Sequence, residues 1–148
     1  TWTEHDLRDP SRSPRVVSSF FTGQVQDVLS AIYFLRTQPL VPGKTVPLTI
    51  SNSGKIYQVP IRVIEKKRMK TVLGKVETIR VLAGVFGPGG LVGSEGEFSI
   101  WLTADERHIP VKARVKHEYG TFEIKLKKIV HPSKAPFLRP SSEHSLQN

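Results

Sequence analysis

Residues 96–130 read GEFSIWLTADERHIPVKARVKHEYGTFEIKLKKIV, and their alternation decides the fold. Phe98, Ile100 and Leu102 alternate with Glu97, Ser99 and Trp101. Ile109, Val111, Ala113 and Val115 alternate with Pro110, Lys112, Arg114 and Lys116, and Phe122, Ile124 and Leu126 with Glu123, Lys125 and Lys127. A period of two sends each apolar set to one face of a strand. The breaks TADERH and HEYG are polar and suited to turns. Three antiparallel strands with one dry and one basic face are the result.

The second hairpin can be read to its register. A four-residue loop over His117–Gly120 sets Val115 opposite Phe122, Ala113 opposite Ile124 and Val111 opposite Leu126. The other face then opposes Arg114 to Glu123, which is favourable, and Lys112 to Lys125, which is not. A like-charge pair of this kind marks a salt-screened surface or one covered by an anionic partner.

Upstream lies the glycine-rich loop Gly84–Gly93. It departs from GxGxxG because position 92 is valine, it joins strand to strand, and no Lys-Ser or Lys-Thr follows. A phosphate cradle needs a helix N-terminus behind it, so a flexible loop at the sheet rim is the better account. If the curled sheet has a mouth, this loop is its lid. Before it come strands at Val46–Ser51, at Tyr57–Val63 and at Val76–Val85, with turns at Pro42-Gly43, Asn52-Ser53-Gly54 and Thr71–Gly74. Pro47 points to an edge strand. Val25, Val28, Leu29, Ile32 and Leu35 recur at three and four, predicting a helix from about Gly23 to Arg36 with Thr22 as N-cap. Short links exclude parallel crossovers. The fold class is therefore mainly β: a curved antiparallel sheet or half-open β-barrel of about six strands with one α-helix packed on it.

The ends differ from this body. Residues 1–22 form an extended arm or junction, and 131–148 a disordered, proline- and serine-rich basic tail. The opening TWTEHDLRDPSRSPR has the look of a piece cut from a longer precursor.

In 148 residues there is room for one domain with a real core. The absence of cysteine removes disulfides, thiolate metal sites and cysteine nucleophiles. No apolar run approaches the roughly 20 residues of a transmembrane helix. The net charge of +9 suggests an anionic neighbour. The charges are dispersed, however, and the densest cluster is Lys66, Lys67, Arg68 and Lys70. Neither a nucleic-acid motif nor interleaved aromatic and basic residues accompany it, so nucleic acid is disfavoured.

Catalytic chemistry finds little footing. The histidines at 5, 108, 117, 131 and 144 fall in turns or tails without HxH or HxxxH spacing, so no metal or cofactor is expected. Glu95 and Glu97 share a strand face, without surroundings that would raise one pKa for acid catalysis. Ser18, Ser19 and Ser99 lack a nucleophile-elbow context. A non-catalytic protein is expected. Trp101 points away from the main core, covered by the helix or a terminal segment, or exposed as a contact site.

The helix QDVLSAIYFLR, the turn PLVPGKT, the strand GKVETIRV and the pair IWLTADERHIPVKARVK resemble, in that order, an uncharacterised bacterial family called domain of unknown function 3108. The likeness spans roughly residues 23–130. It implies an exported, periplasmic or envelope-associated protein and a missing strand-rich N-terminal half. It brings no catalytic residue or ligand with it.

Three functional expectations follow. The first is an apolar or lipid-like ligand held between sheet and helix by Val28, Ile32, Tyr33, Leu35, Phe98, Ile100, Val111 and Phe122. The second is a polyanion or anionic membrane surface met by Lys112, Arg114, Lys116, Lys125 and Lys127. The third is a protein–protein module, with another envelope protein as its partner, using Trp101 and the open sheet edge.

Overall fold

The computed structural model describes residues 1–130; the expected disordered tail, 131–148, lies outside the described residues. The order is β1 (Trp2–Glu4), β2 (Arg15–Val17), α1 (Val28–Leu35), β3 (Thr45–Asn52), β4 (Lys55–Thr71), β5 (Gly74–Ala83), β6 (Gly96–Thr103), β7 (Pro110–His117) and β8 (Gly120–Lys125). Strands β3 to β8 form one antiparallel sheet in sequence order, and this sheet stays open instead of closing into a barrel. Bulges between Val63 and Glu65 and between Trp101 and Leu102 interrupt the register. Such bulges locally strengthen strand twist.

The last hairpin has the register its alternation specifies: Val115 pairs Phe122, Ala113 pairs Ile124, Arg114 pairs Glu123 and Lys112 pairs Lys125. At Asn52–Lys55, Ser53 and Gly54 both take positive φ, 49° and 76°. Two left-handed residues give the tight turn whose twist matches its strands.

The expected start of the helix needs correction. The helix begins at Val28, not near Gly23, and its N-cap is Asp27, not Thr22. Gln26 is already committed to the edge of β3: its N–H donates to the Thr49 carbonyl at 3.0 Å and its carbonyl accepts from Ser51 N–H at 2.8 Å. Asp27 then accepts from the N–H groups of Leu29 and Ser30, at 2.9 and 2.8 Å. In the arm, β1 and β2 pair antiparallel, Trp2 against Val17. This ribbon rests on the β3–β4 turn, where a Cβ on Gly54 would lie 2.8 Å from that of Val17. Ser19 Oγ donates to the Gly54 carbonyl at 2.6 Å.

One sheet face carries the core. Leu48, Ile50, Val59, Ile61, Val63, Ile79, Val81, Ile100 and Leu102 are buried there, with Ala31 and Leu35 from α1. A fully buried aliphatic side chain contributes about 2 kcal/mol. The strand directions gather the β4–β5 hairpin, the β6–β7 turn and the end of β8 at one end of the sheet. The C-terminus of α1 reaches the same end, where Arg36 meets Arg107 and His108.

Candidate functional site

At that end lies an open cleft of about 700 Å³. Its apolar lining is Val72 and Leu73 from the β4–β5 tip, Ile109 from the start of β7 and Ile129 beyond β8. Its cations are Arg36 after α1, Arg107 from the β6–β7 turn, and Lys127 and Lys128. Ligand clefts commonly fall between about 300 and 1,000 Å³ and combine apolar walls with a few polar groups.

The β6–β7 turn is built to hold its part of the wall. Thr103 N–H donates to the Ile109 carbonyl, and Ile109 N–H to Thr103 Oγ1, both at 2.9 Å. Asp105 accepts from the Thr103 hydroxyl and from Arg107 Nη2 at 2.6 Å. The Thr103 hydrogen bond first, and Arg107 after it, hold the Asp105 carboxyl below its usual range. Arg107 is thus neutralised locally. Among the described residues, Lys127 and Lys128 have no carboxylate at ion-pair distance.

The opposite sheet face carries further basic residues, among them Arg80, Lys112 and Arg114. Trp101 does point away from the main core, yet it is only 6% exposed. Among the described residues, its cover includes three cations of the sheet. Arg80, Lys112 and Arg114 lie over the ring at 5.5, 4.9 and 5.4 Å from its centroid. Long cationic stems shield an aromatic ring while their heads stay wet. Arg80 in turn meets Glu97 at 3.0 Å, so Glu97 is half of an ion pair. Glu123 meets Lys112 at 2.9 Å, Arg114 at 2.8 Å and Lys125 at 3.3 Å. The hydrogen bond from Lys112, followed by that from Arg114, brings the Glu123 pKa down to about 2. The like-charge pair Lys112–Lys125 is therefore bridged within the chain.

The residues expected around an apolar ligand divide between interior and surface. Leu35, Ile100 and Val111 are buried, and Leu35 and Ile100 belong to the packed core. Ile32 and Phe98 are partly buried, whereas Val28, Tyr33 and Phe122 are at least half exposed. Of the five lysines and arginines expected to meet an anion, Lys112, Arg114 and Lys125 are held by Glu123. Lys127 lines the cleft. Trp101 is too buried for the exposed contact considered above; among the described residues no strand pairs with the outer edge of β8, all six of whose residues are exposed.

Two contacts had no local signal in the chain. His108 Nδ1 donates to the Arg36 carbonyl, 72 residues away. Ser94 Oγ lies 2.7 Å from His117 Nε2. On the ring's other side, Tyr119 N–H points at His117 Nδ1 from 3.4 Å. The glycine-rich loop next to this pair is ordered by its own bonds, including Val92 N–H to the Val85 carbonyl at 2.9 Å. Within the described residues, no group of three or more His, Asp or Glu side chains is placed to hold a metal ion, and no helix is long and apolar enough to cross a membrane.

An open six-stranded antiparallel meander with one short helix on its apolar face, and a cationic cleft at the helix end, defines a mainly β module. The model of the family described as Protein of unknown function (DUF3108) matches residues 1–127, and the chain belongs to that family. This span includes the β1–β2 ribbon. No curated protein and no solved structure matches the chain.

Proposed function

We propose that this chain is a non-catalytic module of the bacterial envelope that binds an anionic amphiphile, an acyl-type chain with a negative head group. The cleft at the end of α1 carries the reading. Four apolar side chains there, Val72, Leu73, Ile109 and Ile129, stand beside Lys127 and Lys128. An apolar wall favours a hydrocarbon chain, and the two lysines favour a carboxylate or phosphate at its end. This site lies beside the packed core, not within it. The envelope setting belongs to the proposal and rests on the family likeness.

A titration of the full chain with a fluorescent fatty acid, followed by native mass spectrometry with oleate, tests the assignment. Saturable uptake and a discrete oleate adduct are expected. Leu73→Asp should abolish uptake, and Lys127→Glu with Lys128→Glu should weaken it by about ten-fold, a difference of ~1.4 kcal/mol. Raised salt should weaken uptake only partly, because the apolar contacts are not screened. Uptake that none of these changes affects would remove the cleft as the site.

A further inference from the structure

Strands β4 and β5 stay paired to Thr71 and Gly74, past the strands that flank them, β3 and β6. Pairing with β3 ends at Arg62, and β6 follows β5 only as far as Thr78. From Arg68–Glu77 to Thr71–Gly74 the hairpin is a two-stranded ribbon, with no further strand on either side among the described residues. At ~3.4 Å per residue it reaches roughly 10 Å past the sheet. Its tip is Val72-Leu73, and Val72 is 51% exposed.

Around this apolar tip the hairpin carries Lys66, Lys67, Arg68, Lys70 and Lys75, all exposed, against Glu65 and Glu77. Glu65 is already directed at Arg80, 3.9 Å away. Lys70 and Lys75 are directly paired across the ribbon. Like charges opposed on an isolated ribbon destabilise it, and an anionic surface removes that cost. Lys127 and Lys128 add positive charge at the same end. At the sheet's other end, Glu95, Glu97 and Glu118 stand against Lys55 and Lys116, and the arm resting there balances Glu4, Asp6 and Asp9 with Arg8, Arg12 and Arg15.

We infer that the β4–β5 hairpin docks the protein on an anionic bilayer, with Val72 entering the acyl boundary and the surrounding lysines lying among the head groups. A soluble polyanion would be served by the lysines alone and has no use for an exposed valine between them. A bilayer satisfies both. Because Val72 and Leu73 also line the cleft, docking sets the cleft mouth at the lipid surface. The purpose of docking rests on the amphiphile reading above: the ligand passes between bilayer and cleft without crossing water.

Co-sedimentation of the full chain with phosphatidylcholine vesicles, with and without phosphatidylglycerol, tests the inference. Binding is expected only where phosphatidylglycerol is present. Lys70→Gln and Lys75→Gln, which lie outside the cleft lining, should each weaken it by roughly five-fold at low salt. Both should leave fatty-acid uptake in vesicle-free solution intact. Val72→Asp should weaken vesicle binding by about ten-fold, and the milder Val72→Ser should weaken it less. Vesicle binding indifferent to both Val72 changes, or abolished by equimolar soluble polyphosphate, would overturn the inference in favour of a plain polyanion site. Absent vesicle binding with intact uptake would overturn docking alone. Absent uptake with intact vesicle binding would overturn the cleft reading and support docking on its own.

Discussion

His108 and Arg36 hold the end of the helix from both sides. The imidazole Nδ1–H donates to the Arg36 carbonyl at 2.9 Å, and Arg36 Nε–H donates to the Arg107 carbonyl at 3.1 Å. A helix leaves its last carbonyls without internal partners, and here one of them is satisfied by the β6–β7 turn. The turn takes a backbone cost to do so, since His108 sits at φ +42°.

Two substitutions separate the bond from the strain. His108→Gly loses the imidazole bond but relieves the left-handed strain the parent bears, so the two effects of about 1 kcal/mol nearly cancel. His108→Ala loses the same bond and keeps that strain, so it should cost about 1 kcal/mol. Urea unfolding midpoints should therefore fall further for alanine than for glycine.

Glu123 predicts an acid-range signature. Its pKa falls from 4.5 in the unfolded chain to about 2 in the fold, through Lys112, Arg114 and Lys125. A depressed carboxyl pKa contributes stability that is fully present above the unfolded value and is lost as pH falls through the folded one. Glu123→Gln should lie below the parent by a constant margin from neutral pH to about 5. That margin should close between pH 4.5 and about 2. Denaturant melts across this range check it, and added salt should shrink the margin because the cluster is partly exposed.

Trp101→Ala should act on stability. The ring is 6% exposed under Arg80, Lys112 and Arg114, so its removal should cost about 3 kcal/mol. Thermal unfolding measures the loss. Gel-filtration volume of the folded fraction should not change, and a shift there would restore an interface role for this residue.

Gly96 and Gly93 make an internal pair of controls. A Cβ on Gly96 would lie 2.6 Å from the Phe86 ring and 2.7 Å from the Lys116 carbonyl. The β6–β7 pairing or the loop must then move, at about 2 kcal/mol. Nothing lies within 4 Å of a Cβ at Gly93. Gly96→Ala should lower the melting temperature clearly and Gly93→Ala hardly at all.

Much of the sheet was legible because alternation and turn length together specify register. Val115–Phe122 and Arg114–Glu123 follow from HEYG alone. The start of α1 was not, because the apolar spacing continues back to Val25 while Gln26 pairs with β3. The β1–β2 ribbon escaped notice since three-residue strands are too short to show a period. The outward turn of Trp101 could be read from its neighbours; its cover of three cations drawn from two other strands could not. The cleft is least visible of all. Its walls come from the end of α1, the β4–β5 tip, the β6–β7 turn and the segment after β8, and only three-dimensional closure brings them together.

The clasp at Arg36 also carries a schedule. The helix is made early in the chain, yet the carbonyl and imidazole that secure its end lie 71 and 72 residues later. During synthesis α1 emerges without those partners, and an isolated eight-residue helix is too short to persist in water. The sheet can form hairpin by hairpin as its strands appear, but the cleft exists only after β6 and β7 have turned back on each other. Assembly of the cleft is thereby tied to emergence of the chain through Ile129.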